Sequence, residues 1–165
     1  MEENREVKRE KVRSIPIEQI EDFPEHPFKI QNDEQMQKLI ESIQDYGVIT
    51  PVVARRIGEE RYELISGHRR KYACKVLGID RLPVIVRDMS RDEAVITMVD
   101  SNLQREHILP SEKAFAYKMK MEAMKRKAGR PSKENVSPMG TNLRTDEIIA
   151  LEAGESRNQI QRYIR

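Results

Sequence analysis

The sequence predicts an α+β chain, with a small mixed-sheet domain over residues 14–104 and an all-helical segment over residues 105–165. Three observations predict it. Strand-length apolar runs at Pro51–Ile57, Tyr62–Ile65 and Leu82–Arg87 alternate with helical stripes only in the first hundred residues. After Arg105 the strand signals cease. The charge divides at the same place: residues 1–104 carry 17 Lys+Arg and 20 Asp+Glu, net −3, whereas residues 105–165 carry 13 and 8, net +5.

The first element after an alternating acid–base tail, Met1 to Arg13, is Ile15-Pro16-Ile17-Glu18-Gln19-Ile20, read as an extended edge segment because Pro16 cannot donate to a ladder. The loop Phe23 to Lys29 follows, held open by Pro24 and Pro27. Asp33 starts a helix whose stripe is Met36, Leu39, Ile40 and Ile43, ended by Gly47. Gly58 to Arg61 turns the first two strands into a hairpin. Ser66 and Gly67 lead into a helix over His68 to Leu77, with Tyr72, Ala73, Val76 and Leu77 inward and Gly78 closing it. After the third strand, Ser90-Arg91-Asp92-Glu93 is a capping box that starts a helix through Ala94, Val95 and Met98.

In the helical segment, Pro110-Ser111-Glu112 opens a long helix to about Lys127. The Gly-, Pro- and Ser-rich stretch 129–143 reads as a mobile basic loop, and Arg144 to Arg165 is helical again. There Thr145 and Ser156 are the expected N-caps of two helices meeting at Gly154. Ile149, Ala150, Leu151 and Ala153 line the inner face of the first, and Ile160, Tyr163 and Ile164 that of the second. That is the pattern of a helix-turn-helix over 145–165.

Composition excludes several classes. With 38% hydrophobic residues the 165-residue chain buries a modest core, and 5% aromatics with no Trp argue against base stacking as its main mode of reading nucleic acid. The single Cys74 excludes an internal disulfide and falls in an apolar helical pattern, as a buried small hydrophobe. His26, His68 and His107 are isolated, which argues against a zinc site. No run of about 18 apolar residues and no signal-peptide core exist, so a cytoplasmic protein without a membrane partner is expected.

Two short stretches carry the chemistry. Ser66-Gly67-His68-Arg69-Arg70 puts a glycine and two guanidiniums at the mouth of a helix, where backbone N–H groups and the helix dipole favour anions and arginines can clamp phosphate oxygens. A nucleoside triphosphate fits such a site; surface pairing of the same arginines with acids is the plainer alternative. Ser101-Asn102 supplies neutral oxygens that can complete a Mg²⁺ site bridged by phosphates, or cap a helix. Between Lys113 and Lys133 lie eight Lys or Arg against the single Glu122, a face for DNA phosphates or for solvent. On the second helix of the pair, Arg157, Asn158, Gln161 and Arg162 face outward as donors for base edges and phosphates.

In chain order these stretches resemble the ParB/Noc family of chromosome and plasmid partition proteins, from about Ile15 to Arg165. Glu25-His26-Pro27-Phe28-Lys29 is similar to the family's Asn-Pro-x-Gln-Pro-Arg loop. Glu41-Ser42-Ile43, Gly47 and Thr50-Pro51 resemble its Glu-Ser-Ile-x-x-x-Gly-x-x-Gln-Pro segment. Gly67-His68-Arg69-Arg70 resembles Gly-Glu-Arg-Arg, and Ser101-Asn102-Leu103-Gln104-Arg105 resembles Glu-Asn-Leu-Gln-Arg.

The resemblance implies a ParB/sulfiredoxin-like N-terminal domain that binds CTP with Mg²⁺, a helical part that binds a centromere-like DNA site, and a dimer that closes as a clamp. Carried over by position, His26, Phe28 and Lys29 cradle the cytosine and Gly67 to Arg70 the phosphates. Ser42, Ser66 and Arg105 join the nucleotide set, and Asn102 holds the metal. Lys125, Arg126, Arg130, Lys133, Arg144 and Ser156 join the four outward residues of the last helix as the DNA set.

A ParA-type ATPase is the implied partner. The chain stops inside the last helix, which reads as a fragment lacking the family's C-terminal dimerisation region, so a homodimer is expected of the full-length protein. His68 and Ser101 replace two family carboxylates, which implies slow CTP hydrolysis. Two other readings remain open: a nucleotide-independent helix-turn-helix transcription regulator, and a phosphoryl-transfer enzyme or nuclease on the same scaffold.

Overall fold

A computed structural model of the chain describes residues 10–105, 108–128 and 144–165. His107, Arg130, Lys133 and the expected basic loop 129–143 lie outside the described residues, as do residues 1–9 of the expected tail. The chain forms two compact units, one of residues 1–24 and 30–88, the other of residues 25–29 and 89–165. The α+β reading is correct: a mixed sheet with helices, then an all-helical part.

The first unit holds β1 (Val12–Pro16), a 3-10 turn (Ile17–Gln19), β2 (Ile20–Glu21), α1 (Glu34–Tyr46), β3 (Val52–Gly58), β4 (Arg61–Ser66), α2 (His68–Val76) and β5 (Arg81–Arg87). Strand order is β1-β5-β3-β4-β2. β1 with β5 and β3 with β4 are antiparallel, whereas β3 with β5 and β2 with β4 are parallel. The expected extended segment is on an edge, but it is split between both edges. Pro16 pairs with Arg81 at one edge and Ile20 with Tyr62 at the other.

Four Cα steps reach at most about 14 Å, whereas five flat strands would set the edges about 19 Å apart. The sheet therefore curls towards closure, bridged by the 3-10 turn, whose Ile17 N–H donates to Asp80 O at 2.8 Å. Val12 and Arg13, read from sequence as tail, pair with Ile85 and Val84.

α1 begins where Asp33 Oδ1 accepts the Met36 N–H at 2.8 Å, and buries Met36 and Ile43 with Leu39 and Ile40 packed beside them. These join Val52, Ala54, Leu64, Ala73, Cys74, Leu82 and Val84 in one core. Cys74 is fully buried as expected, and burial raises its thiol pKa.

The inward face of α2 differs from expectation: Val76 is 55% exposed, whereas Lys71 is buried. Lys71 Nζ donates to Ile20 O and to Asp22 Oδ1, both at 2.6 Å, so the β2 edge supplies the acceptors a buried ammonium requires. Burial pushes the Asp22 carboxyl up, but the Lys71 bond and charge outweigh it and leave its pKa below the ordinary value.

The second unit contains α3 (Arg91–Leu103), α4 (Pro110–Ala128), α5 (Thr145–Ala153) and α6 (Arg157–Ile164). The sequence boundary at residue 104 follows α3, whereas the compact units part at Asp88, because α3 packs on α4. The Ser90 box forms: Ser90 Oγ accepts Glu93 N–H at 3.2 Å and Glu93 Oε2 accepts Ser90 N–H at 3.0 Å. Tyr117, Ile149, Ala150 and Ile160 make a second core with Met121, Met124, Tyr163 and Ile164 against it.

Gly154 turns α5 into α6 at φ 65°, with Glu155 N–H on Ala150 O at 3.0 Å and Gly154 N–H on Leu151 O at 3.4 Å. This pair of bonds is the Schellman arrangement. Two expectations fail in this pair. Leu151 is 71% exposed, because the face that meets α4 is set by Ile149 and Ala150. Thr145 is the first helical residue, and the cap position belongs to Arg144, whose N–H is taken by Glu147 Oε2 at 2.8 Å. Ser156 caps α6 as expected, accepting Gln159 N–H at 3.3 Å.

Candidate functional site

The mouth of α2 is built around Gly67. Its φ of +105° is one that side-chain residues rarely adopt, and a Cβ there would stand 2.5 Å from Val52 Cγ1. Close packing on β3 thus requires glycine, and it leaves the first-turn N–H groups of His68, Arg69 and Arg70 at the helix end, where an anion is favoured. Lys71 N–H is the first to bond back, to Gly67 O at 3.0 Å. Ser66 ends β4 just before this glycine, and Ser42 is on the exposed face of α1.

The two arginines are not equivalent. Arg70 Nη1 donates to Thr50 O at 2.6 Å and Pro51 O at 2.7 Å, which ties α2 to the start of β3. Partial burial lowers its pKa, although a guanidinium stays charged. Arg69 makes one longer contact, Nη2 to Asp33 Oδ1 at 3.2 Å, and keeps a quarter of its side-chain surface exposed. A guanidinium carries five N–H donors, so most of those on Arg69 remain for another acceptor. The plainer reading of these arginines therefore holds in part: Arg69 pairs with an acid and Arg70 with carbonyls.

His68 opens α2 with its side chain buried, so what it offers at the helix mouth is its backbone N–H.

The second unit carries the rest of the expected nucleotide set. Phe28 is buried, packed edge-on against His26 at 5.7 Å, and His26 Nδ1 lies 2.7 Å from Phe28 O. The Lys29 side chain is exposed, and the Lys29 backbone N–H donates to Glu112 Oε1 at 3.0 Å. Asn102 is buried on α3, where its Nδ2 donates to Met98 O at 2.7 Å. With the amide nitrogen so committed, Oδ1 is what Asn102 can offer a cation. Arg105 follows the helix, exposed, its N–H on Asn102 O at 3.1 Å. Among the described residues, no group of three or more His, Cys, Asp or Glu is arranged to hold a metal ion.

The basic run on α4 and the expected DNA set are more neutralised than composition suggests. On α4, Arg126 Nε meets Asp92 at 2.9 Å and Lys127 meets Glu93 at 3.1 Å. Lys113 pairs with Glu155, and Lys120, 2% exposed, meets Asp100 and Glu152. Lys118 and Lys125 are exposed. On α6, Asn158 and Arg162 are exposed, whereas Arg157 Nε and Gln161 Nε2 both donate to Asp146 Oδ2, at 2.9 and 2.8 Å. Residue types gave no sign of this acidic anchor. An Asp in the first turn of α5, facing donors four residues apart on α6, is the signal that points to it. Among the described residues no helix is long and apolar enough to cross a membrane.

The sequence model of the ParB N-terminal domain matches residues 1–103. A probable chromosome-partitioning protein ParB of Pseudomonas putida is 33% identical over 110 residues, which cover 67% of this chain and 38% of that protein. A nucleoid occlusion protein of Geobacillus kaustophilus is 37% identical over 117 residues, covering 71% and 41%. The chain thus spans about two fifths of the length of these relatives. Among solved structures, a C-terminally truncated ParB of Caulobacter crescentus complexed with CTP-gamma-S is 26% identical, with a TM-score of 0.52 over 93% of this chain and 77% of that one. By its sequence match over residues 1–103, this chain belongs to the ParB N-terminal domain family.

Proposed function

We propose that the chain is the nucleotide- and DNA-binding part of a partition-type protein that loads on a centromere-like DNA site and closes as a clamp when CTP and Mg²⁺ bind. The observation that carries the nucleotide half is the mouth of α2, with its obligate glycine, its first-turn amides and Arg69 held by one long bond. The likeness to a ParB complexed with CTP-gamma-S supports CTP as the nucleotide.

In this reading the amides and Arg69 bind phosphate oxygens, while Arg70 positions the helix by holding Thr50 and Pro51. Bound Mg²⁺ supplies neutralisation of triphosphate charge. Asn102, whose amide nitrogen is held by Met98 O, would offer Oδ1 to a cation that arrives with its nucleotide. With His68 and Ser101 where carboxylates stand in the family, no carboxylate at these positions orients water, and hydrolysis is slow in this reading.

The DNA half rests on α5 and α6, with Ser156, Arg157, Asn158, Gln161 and Arg162 on the reading helix and Lys125, Arg126 and Arg144 as phosphate contacts. The full-length protein is a cytoplasmic, nucleoid- or plasmid-associated homodimer that works with a ParA-type ATPase.

Thermal unfolding of the 165-residue chain with each nucleoside triphosphate and Mg²⁺ tests this. A ligand at about 100 times its Kd adds about 2.7 kcal/mol, several degrees in Tm. CTP and not ATP raises the Tm, and Arg69→Ala abolishes the shift. Equal shifts from all nucleotides, or none, contradict the reading; salt-sensitive, sequence-specific DNA binding without any nucleotide effect selects the nucleotide-independent regulator.

A further inference from the structure

Asp146 lies in the first turn of α5, and Arg157 and Gln161 lie one turn apart on α6, so their side chains share a face. Both end on the same oxygen, Asp146 Oδ2, at 2.9 Å from Arg157 Nε and 2.8 Å from Gln161 Nε2. Glu147 Oε1 adds a weaker contact to Arg157 Nη1 at 3.4 Å.

A carboxylate only accepts, and this fixes what the two side chains have left to offer. Gln161 must turn its NH₂ to Asp146, which leaves Oε1 and one N–H, the acceptor–donor pair that adenine N6 and N7 recognise in the major groove. Arg157 is held by Nε and more weakly by one hydrogen of Nη1, which leaves the other Nη1 hydrogen and Nη2 for guanine O6 and N7. An unanchored Gln can flip its amide, and an unanchored Arg samples many rotamers.

We infer that Asp146 is a specificity-determining positioning residue: without touching DNA, it fixes Arg157 and Gln161 as an oriented pair that reads a guanine and an adenine in duplex DNA. The inference rests on the reading of α6 as a DNA-reading helix. It also has an unusual signature. Removing a negative charge beside a phosphate-binding face favours non-specific DNA, while freeing the two donors lowers discrimination. General affinity and specificity should thus move in opposite directions.

The test selects binding sites from a randomised duplex pool with the 165-residue chain and its Asp146→Asn variant, alongside binding to poly(dI-dC) duplex. Asp146→Asn binds poly(dI-dC) as well as the parent or better, and its preference falls about tenfold at the positions that Arg157→Ala and Gln161→Ala flatten. In the Arg157→Ala, Gln161→Ala background, Asp146→Asn changes base preference no further; a purely structural loss of the α5 first turn would act in both backgrounds.

Should Asp146→Asn not fold by circular dichroism, Asp146→Ser, which keeps a short polar side chain in the first turn of α5 but no carboxylate, gives the same flattening at both positions with Arg157 and Gln161 intact. Parental base preference in Asp146→Asn, or an equal loss in both backgrounds, overturns the inference. A parent chain that enriches no sequence, with Asn158→Ala and Arg162→Ala indistinguishable from it, overturns the DNA reading of α6 itself and this inference with it.

Discussion

Arg69 Nη2 lies 3.2 Å from Asp33 Oδ1, the same oxygen that caps α1 by accepting the Met36 N–H at 2.8 Å. One carboxylate therefore starts one helix and restrains the partly buried guanidinium at the mouth of the next. A phosphate entering that mouth competes with Asp33. Asn serves as well as Asp at an N-cap, so Asp33→Asn keeps α1 and weakens the restraint. A half-exposed pair of this kind is worth up to about 1 kcal/mol. Calorimetry should find CTP–Mg²⁺ bound up to about fivefold more tightly by Asp33→Asn, with little change in Tm. Weaker binding at unchanged Tm would show that Asp33 assists the ligand instead.

Gly67→Ala should be among the costliest small substitutions in the first unit. The added Cβ meets Val52 Cγ1 at 2.5 Å and the backbone sits at φ +105°, so steric overlap and backbone strain add. A loss of about 2–4 kcal/mol in urea unfolding is expected. A loss below about 1 kcal/mol would mean that β3 and α2 can shift apart freely.

Lys120 is the buried charge of the second unit, its ammonium between Asp100 of α3 and Glu152 of α5. Burial acts to lower its pKa, but the bonds from Asp100 and Glu152 outweigh it and the net shift is upward. Lys120→Ala removes both the stem and the charge and should cost about 2–4 kcal/mol; Lys120→Met fills the space and frees two half-exposed acids to solvent, at under about 1.5 kcal/mol. Equal losses from the two variants would assign the stabilisation to charge rather than packing.

Asp146 gives a dependence on acid. The Arg157 hydrogen bond first and then that of Gln161 pull its carboxyl from 3.8 down to about 2, against the opposing effect of burial. A carboxyl with a depressed folded pKa contributes stability above its unfolded value and loses it as pH falls towards the folded one. The stability difference between the parent and Asp146→Asn, about 1 kcal/mol or less for a screened surface site, should be constant above pH 4 and shrink between about pH 4 and pH 2. A difference independent of pH across that window would remove the ion pair from the explanation.

What the sequence made legible is what local pattern and capping decide. The α1 stripe, the Ser90 box, the Gly67 opening of α2 and the Gly154 turn are all read from residues a few positions apart, and all form. What it hid depends on partners distant in the chain. Lys71 is buried only because Ile20 O and Asp22 accept from it, so a periodicity that ranks lysine as outward chose Val76 wrongly. Arg70 is read equally well as a clamp until the carbonyls of Thr50 and Pro51 are seen on its Nη1. The basic run on α4 overstated free charge because Asp92, Glu93, Asp100, Glu152 and Glu155, remote in sequence, meet it.

The most direct measurement is an isothermal titration of the chain with CTP, ATP, GTP and UTP, each with and without Mg²⁺, repeated on Arg69→Ala. Saturable binding of CTP alone, tightened by Mg²⁺ and lost in a variant that still folds, is the expected result. Undiminished CTP binding by Arg69→Ala, or no binding of any nucleotide to the parent chain, would contradict a triphosphate site at the Gly67 mouth of α2.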